Sequence, residues 1–126
     1  MTARILIVED DKILRKACEV SLAKQGFSVL TASDGEEGLR QAASGAPDLI
    51  LLDMRMPKLS GLDTLVALKQ DDRTKAIPVV ILSNSSGEEG MKRARELGAA
   101  GYWVKATLSL RELGDRINGF LGAGRA

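Results

Sequence analysis

The chain predicts a doubly wound α/β architecture: a parallel five-stranded sheet of order 2-1-3-4-5 between two layers of helices. Three observations carry this. Short apolar runs alternate with segments of helical period, five of each, and the joins are short. The runs RILIV at 4–8 and LILL at 49–52 are the most uniformly apolar, as strands covered on both faces are, and belong at the centre. The runs at 27–32 and 101–105 mix polar with apolar residues and belong at the edges.

The first strand runs into Glu9, Asp10 and Asp11. Ile13, Leu14, Ala17, Cys18, Ser21 and Leu22 then recur at helical spacing, and Gly26 stands where that helix stops. Phe27–Ala32 reads as the second strand. Ser33, Asp34 and Gly35 start the second helix, and Glu36 and Glu37 in its first turn suit the positive end of the dipole. Its inner face is Leu39, Ala42 and Ala43, and Gly45 with Pro47 closes it before the strand Asp48–Asp53. A third helix covers about 60–70, marked by Leu62, Leu65 and Val66. The polar DDRTK separates it from the strand Ile77–Ser83, which Pro78 can enter because it lies near the start.

Gly87 and Gly90 open a fourth helix around Met91, Ala94 and Leu97, each lowering its intrinsic stability by roughly 1 kcal/mol against alanine. Gly98 and Gly101 bracket its exit, and Tyr102–Lys105 is the last strand. Ser109 and Glu112 form a capping box for a final helix with Leu110, Leu113, Ile117, Phe120 and Leu121 inward. Glycines 114, 119 and 122 predict that its end frays.

At 126 residues the chain reads as one domain with a real core, spanning 1–126 with no output domain. Lys plus Arg is 18 against 17 for Asp plus Glu, a net charge of +1 that gives no push toward nucleic acid or anionic membranes. No apolar run is long enough to span a bilayer and no secretory signal opens the chain, so cytoplasmic residence is expected. Cys18 is alone among apolar residues, a buried core position rather than a reactive thiol. Histidine is absent, which removes histidine bases and histidine metal sites. Chemistry here must come from carboxylates, hydroxyls and lysine.

Placing every strand's carboxyl end on one rim brings Glu9 and Asp10, Asp53, Ser83 and Lys105 together. Three carboxylates in one place need positive charge, and Mg²⁺ suits because it accepts a few carboxylates while keeping several waters. With the metal on one phosphoryl oxygen, Lys105 on a second and the Ser83 hydroxyl on a third, Asp53 is left as nucleophile. Positioning and charge neutralisation are most of what phosphoryl transfer requires.

Over nearly its full length the chain resembles the receiver domains of two-component response regulators, with a flavodoxin-like (βα)₅ sandwich. The matching residues are Glu9-Asp10, the DxxMPxxxG pattern Asp53–Gly61, Ser83, Lys105, and Gly98-Ala99 ahead of Tyr102. The resemblance implies that Asp53 is the phosphoacceptor and that Asp10, Asp53 and the backbone carbonyl of Arg55 ligate Mg²⁺, with Glu9 acting through water. It also implies that Ser83 and Lys105 contact the phosphoryl group and that Ser83 and Tyr102 form the switch. A histidine kinase or histidine phosphotransfer protein would be the donor. A downstream protein would read the face of helix four, strand five and helix five, and the chain would act as a monomer or a phosphorylation-dependent dimer. Such a protein is a switch that assists its own phosphorylation and dephosphorylation, not an enzyme with a separate substrate.

One departure is Ala106, where the family usually has proline; a cis peptide there would cost roughly 2.5–4 kcal/mol, so trans is expected. Asn84, Ser85 and Pro57 border the site, and Asp11 reads as a helix N-terminal acid. Met54 and Met56 read as packing residues, Pro57 as restricting φ and Gly61 as relieving it. Trp103 faces away from Tyr102, with packing under a helix and contact with a partner equally open. Three rival functions follow. A dehalogenase-type phosphatase needs an acid where Arg55 stands, and a flavin binder needs a phosphate cradle where three acids stand. A receiver-like interaction module that is not phosphorylated is the third.

Overall fold

The computed structural model describes residues 2–84 and 87–125. Strands β1 (Arg4–Val8), β2 (Ser28–Ala32), β3 (Leu49–Asp53), β4 (Val79–Ser83) and β5 (Gly101–Val104) alternate with helices α1 (Lys12–Lys24), α2 (Gly35–Gly45), α3 (Gly61–Gln70), α4 (Glu88–Glu96) and α5 (Leu110–Arg125). The sheet is parallel throughout in the order β2-β1-β3-β4-β5, so the two apolar strands sit inside and the two mixed ones at the edges.

The period of two along each strand divides the core. Ile5, Ile7, Leu49, Leu51, Val80 and Leu82 pack with Cys18 and Leu22 of α1 and Leu113 and Ile117 of α5. Leu6, Val8, Ile50, Leu52, Val79 and Ile81 pack on the other side with Ala42 of α2, Leu65 and Leu68 of α3 and Ala94 of α4. Leu49 to Leu52 are wholly buried, each contributing roughly 1.5–3 kcal/mol of transfer free energy. Trp103 falls in the first layer, its ring edge-on to Phe120 with centroids 6.4 Å apart and the Arg116 guanidinium 5.8 Å from its centroid. Packing beneath a helix is therefore its role within this chain.

Gly45 is the last residue of α2, and Ala46 caps it in a left-handed conformation with φ 45°, with Pro47 behind it. A Cβ on Gly45 would press on the far end of the Leu30 side chain. The α5 helix spans Leu110–Arg125 and includes Gly114, Gly119 and Gly122. The Gln25 side chain, at the end of α1, lies over Gly114 and occupies the space a Cβ there would take. Pro78 lies just ahead of β4, where its carbonyl still accepts from the Ile50 amide at 3.0 Å.

Candidate functional site

Register brings the rim together. Val8 pairs with Leu52, so Glu9 leaves β1 beside Asp53, and Asp53 in turn pairs with Leu82, one residue before Ser83. The Glu9 amide donates to the Ala32 carbonyl at 3.0 Å, and its own carbonyl accepts from the Arg15 guanidinium at 2.8 Å. These bonds hold the first acid inward, 4% exposed. Asp11 turns the other way and caps α1, accepting from the amides of Ile13 at 2.9 Å and Leu14 at 3.1 Å. Asp10, between them, is exposed at the mouth. Asp53 ends β3 and is 6% exposed.

One oxygen each from Glu9, Asp10 and Asp53 lies within 4.8 Å of the others. Lys105 reaches in from the far side, its Nζ 2.7 Å from Glu9 Oε1 and 2.8 Å from Asp53 Oδ1. One ammonium does not neutralise three carboxylates, and the consequence falls on Glu9. Burial pushes its carboxyl up from 4.5 to about 7; the Lys105 hydrogen bond opposes this and the neighbouring Asp53 charge adds to it. Burial alone would lower the Lys105 ammonium, but the hydrogen bonds and charges of Asp53 and Glu9 outweigh it and hold its pKa above the ordinary lysine value. An all-oxygen donor set of this density fits a hard divalent cation.

The site is an open pocket of about 560 Å³, completed by Leu14, Met54, Arg55, Ser83 and Asn84. Ser83 ends β4 and is buried, while Asn84 is exposed. Ser85 lies outside the described residues. Pro57 is exposed in the β3–α3 loop, away from the pocket lining. Tyr102 sits on the α4 side of the sheet, its hydroxyl 3.4 Å from where a Cβ on Gly90 would stand. The Lys105–Ala106 peptide is trans, and Lys105 begins a 3₁₀ turn, Lys105–Thr107, that leads toward α5.

Gly61 is needed for closeness rather than for φ. A Cβ there would run into the Asp53 carbonyl oxygen and the Met54 Cα, and the Gly61 amide donates to the Met54 carbonyl at 2.9 Å. The left-handed position in this loop belongs to Lys58, φ 70°. Its ammonium pairs with Asp34 at 3.4 Å, tying the loop to the start of α2. Met54 and Met56 pack against the Leu6–Ile81 layer, consistent with a packing role. Sequence reasoning missed Arg15 and Lys58. An arginine in a first helical turn and a lysine in a loop carry no pattern that marks a carbonyl clamp or a left-handed residue.

A parallel α/β sandwich of order 2-1-3-4-5 with acids and a lysine on its switch-point rim is the architecture of a regulatory receiver. The response regulator receiver domain family matches residues 5–118, and the chain belongs to it. Over 121 residues it is 36% identical to the alkaline phosphatase synthesis transcriptional regulatory protein PhoP of Bacillus subtilis, covering 96% of this chain and 49% of that protein. Protein PilG of Pseudomonas aeruginosa is 32% identical over 102 residues, 81% of this chain and 76% of that one. Among solved structures, the chemotaxis protein CheY4 of Vibrio cholerae superposes with a TM-score of 0.87 at 27% identity, covering 94% of this chain and 98% of that one. The chain spans about half the length of the first curated relatives it matches. It is thus a receiver domain of two-component signalling, and no helix among its described residues is long and apolar enough to cross a membrane.

Proposed function

We propose that the chain is a phosphorylation switch in which Asp53 accepts a phosphoryl group from the phosphohistidine of a kinase or phosphotransfer protein. The observation that carries this reading is the Lys105 ammonium held 2.8 Å from Asp53 in a pocket otherwise rich in carboxylates. An Asp53 carboxylate oxygen attacks phosphorus, the P–N bond breaks, and the imidazole leaves. Lys105 then exchanges its carboxylate partners for a phosphoryl oxygen, and the Ser83 hydroxyl donates to another. Mg²⁺ held by Asp10, Asp53 and the Arg55 carbonyl, with Glu9 acting through water, would neutralise the acids and the incoming phosphoryl oxygens.

The protein donor has a surface to meet. Ile13, 84% exposed, stands with Val20 and Leu110 as the exposed large apolar residues of the described chain. All three line one groove beside the rim, flanked by Lys12, Lys16 and Lys24, which suits an apolar helix bordered by acids. On the far side, α4 buries only Ala94 and begins at Gly87 without a side-chain cap bond. A helix so lightly held rearranges at little cost when Ser83 is drawn toward a phosphoryl group, and Tyr102 follows it. A downstream protein reads that face in the cytoplasm, and the same acids assist hydrolysis back to the resting state.

Intact mass after treatment with acetyl phosphate and Mg²⁺ tests this. Gain of one phosphoryl group by the native chain and none by Asp53→Asn is expected. Equal gain by both proteins would overturn it.

A further inference from the structure

A second compartment lies directly beneath the first. Between β1, α1 and the start of α5 is a small, partly open cavity of about 60 Å³, walled by Ile7, Leu14, Cys18, Leu82, Leu108 and Leu113, with Leu110 also lining it. Its polar groups are few. Glu9 and Lys105 are already bonded to each other, the Ser109 hydroxyl accepts from the Glu112 amide, and the Cys18 thiol is buried, with burial pushing its pKa up. Glu9, Leu14 and Lys105 line both this cavity and the open pocket above, so they form the partition between the two. Leu110 lines both this cavity and the exposed groove on α1.

We propose that this cavity binds a small uncharged apolar molecule and that its occupancy is felt at Asp53 through the stem of Lys105. An engineered enclosed cavity of roughly 150 Å³ lined by aliphatic side chains takes benzene or xenon. This one is partly open and smaller, and its size selects xenon or a hydrocarbon below benzene. A charged ligand has no counter-ion here, because the single ammonium is held between Glu9 and Asp53. An occupant packs against the methylenes of Lys105 and fixes the position from which its amine leaves Asp53 for a phosphoryl oxygen. The ligand shifts reactivity by whatever difference it feels between those two positions. This second half rests on the phosphoacceptor reading; the binding half does not.

Amide spectra under xenon test the binding. Saturable shifts at Ile7, Cys18, Leu108 and Leu113, absent with benzene and absent in Cys18→Leu, are expected. Leu113→Ala, which widens the space, should admit benzene. No saturable shift in the native chain, or shifts that persist unchanged in Cys18→Leu, would overturn the site. At saturating xenon the rate of phosphorylation by acetyl phosphate should change by about twofold or more. Bound xenon with an unchanged rate would end the coupling alone. Bound xenon in a chain that never takes phosphate would end the phosphoacceptor reading and leave the binding site standing.

Discussion

The raised pKa of Glu9 makes the metal-free protein less stable as pH rises across neutrality. Its carboxyl titrates near 4.5 when the chain is unfolded and near 7 when folded. Between these values the folded state holds a proton that the unfolded state has lost. Stability from this group is therefore fully present below 4.5 and is lost as pH climbs to about 7. A displacement of that size is worth about 3 kcal/mol at full value. Solvent reaches the pocket mouth and screens the cluster, which brings the expected loss to roughly 1–2 kcal/mol. The chain has no histidine, so Glu9 is the side chain with a known shift into this window. Urea unfolding in chelator at about pH 5 and about pH 8 measures the difference. Glu9→Gln should flatten it, and Mg²⁺ should restore the native chain at the higher pH. The same slope in native and Glu9→Gln proteins would refute the reasoning.

Three further outcomes follow from particular contacts. Ile13→Glu places a charge on a residue 84% exposed, so unfolding free energy should move by no more than about 0.5 kcal/mol. Transfer from a phosphorylated protein donor should nevertheless fall by roughly tenfold, with acetyl phosphate unaffected, as paired rate measurements would show. Gly61→Ala drives a methyl against the backbone of Asp53 and Met54 and should cost about 1–3 kcal/mol together with slower phosphorylation; unchanged values in both assays would remove the packing argument. Ile117→Ala empties a fully buried site next to Trp103 and should cost about 2–5 kcal/mol, read from the emission of that single tryptophan during urea unfolding.

Strand order was legible because burial on two faces writes itself as an uninterrupted apolar run, which β1, β3 and β4 carry and the edge strands β2 and β5 do not. The gathering of Glu9, Asp10, Asp53, Ser83 and Lys105 followed from the same logic, since parallel strands deliver their ends to one rim. What escaped is set by approach distance rather than by residue type. Gly61 and Gly45 look like ordinary loop and stop glycines in a string of letters, yet each is where a neighbour comes too near for a Cβ. Ala46 and Lys58 take left-handed backbone that alanine and lysine do not advertise. Arg15 reaches back six residues to the Glu9 carbonyl, a contact with no periodic signature. The cavity beneath Lys105 is invisible to sequence for a related reason: Ile7, Cys18, Leu82 and Leu113 in its wall are ordinary core residues, and only their spacing leaves room.

Stability and chemistry in this chain depend on one choice of strand order. Setting β1 beside β3 buries two strongly apolar strands against each other, which supplies much of the core. The same pairing forces Glu9 and Asp53 together at the strand ends, a like-charge contact that the fold must hold against its own preference. Lys105 relieves that contact only in part, because it is one charge against three. The folded chain is therefore left with an unmet demand for positive charge at the place where a phosphoryl group would also need it. A cation that satisfies the demand stabilises the fold and prepares the site in one step, so the Mg²⁺ Kd fitted from the rise of urea stability and the one fitted from Asp53 phosphorylation should agree. Different values would separate the ion that stabilises the acids from the ion that assists transfer.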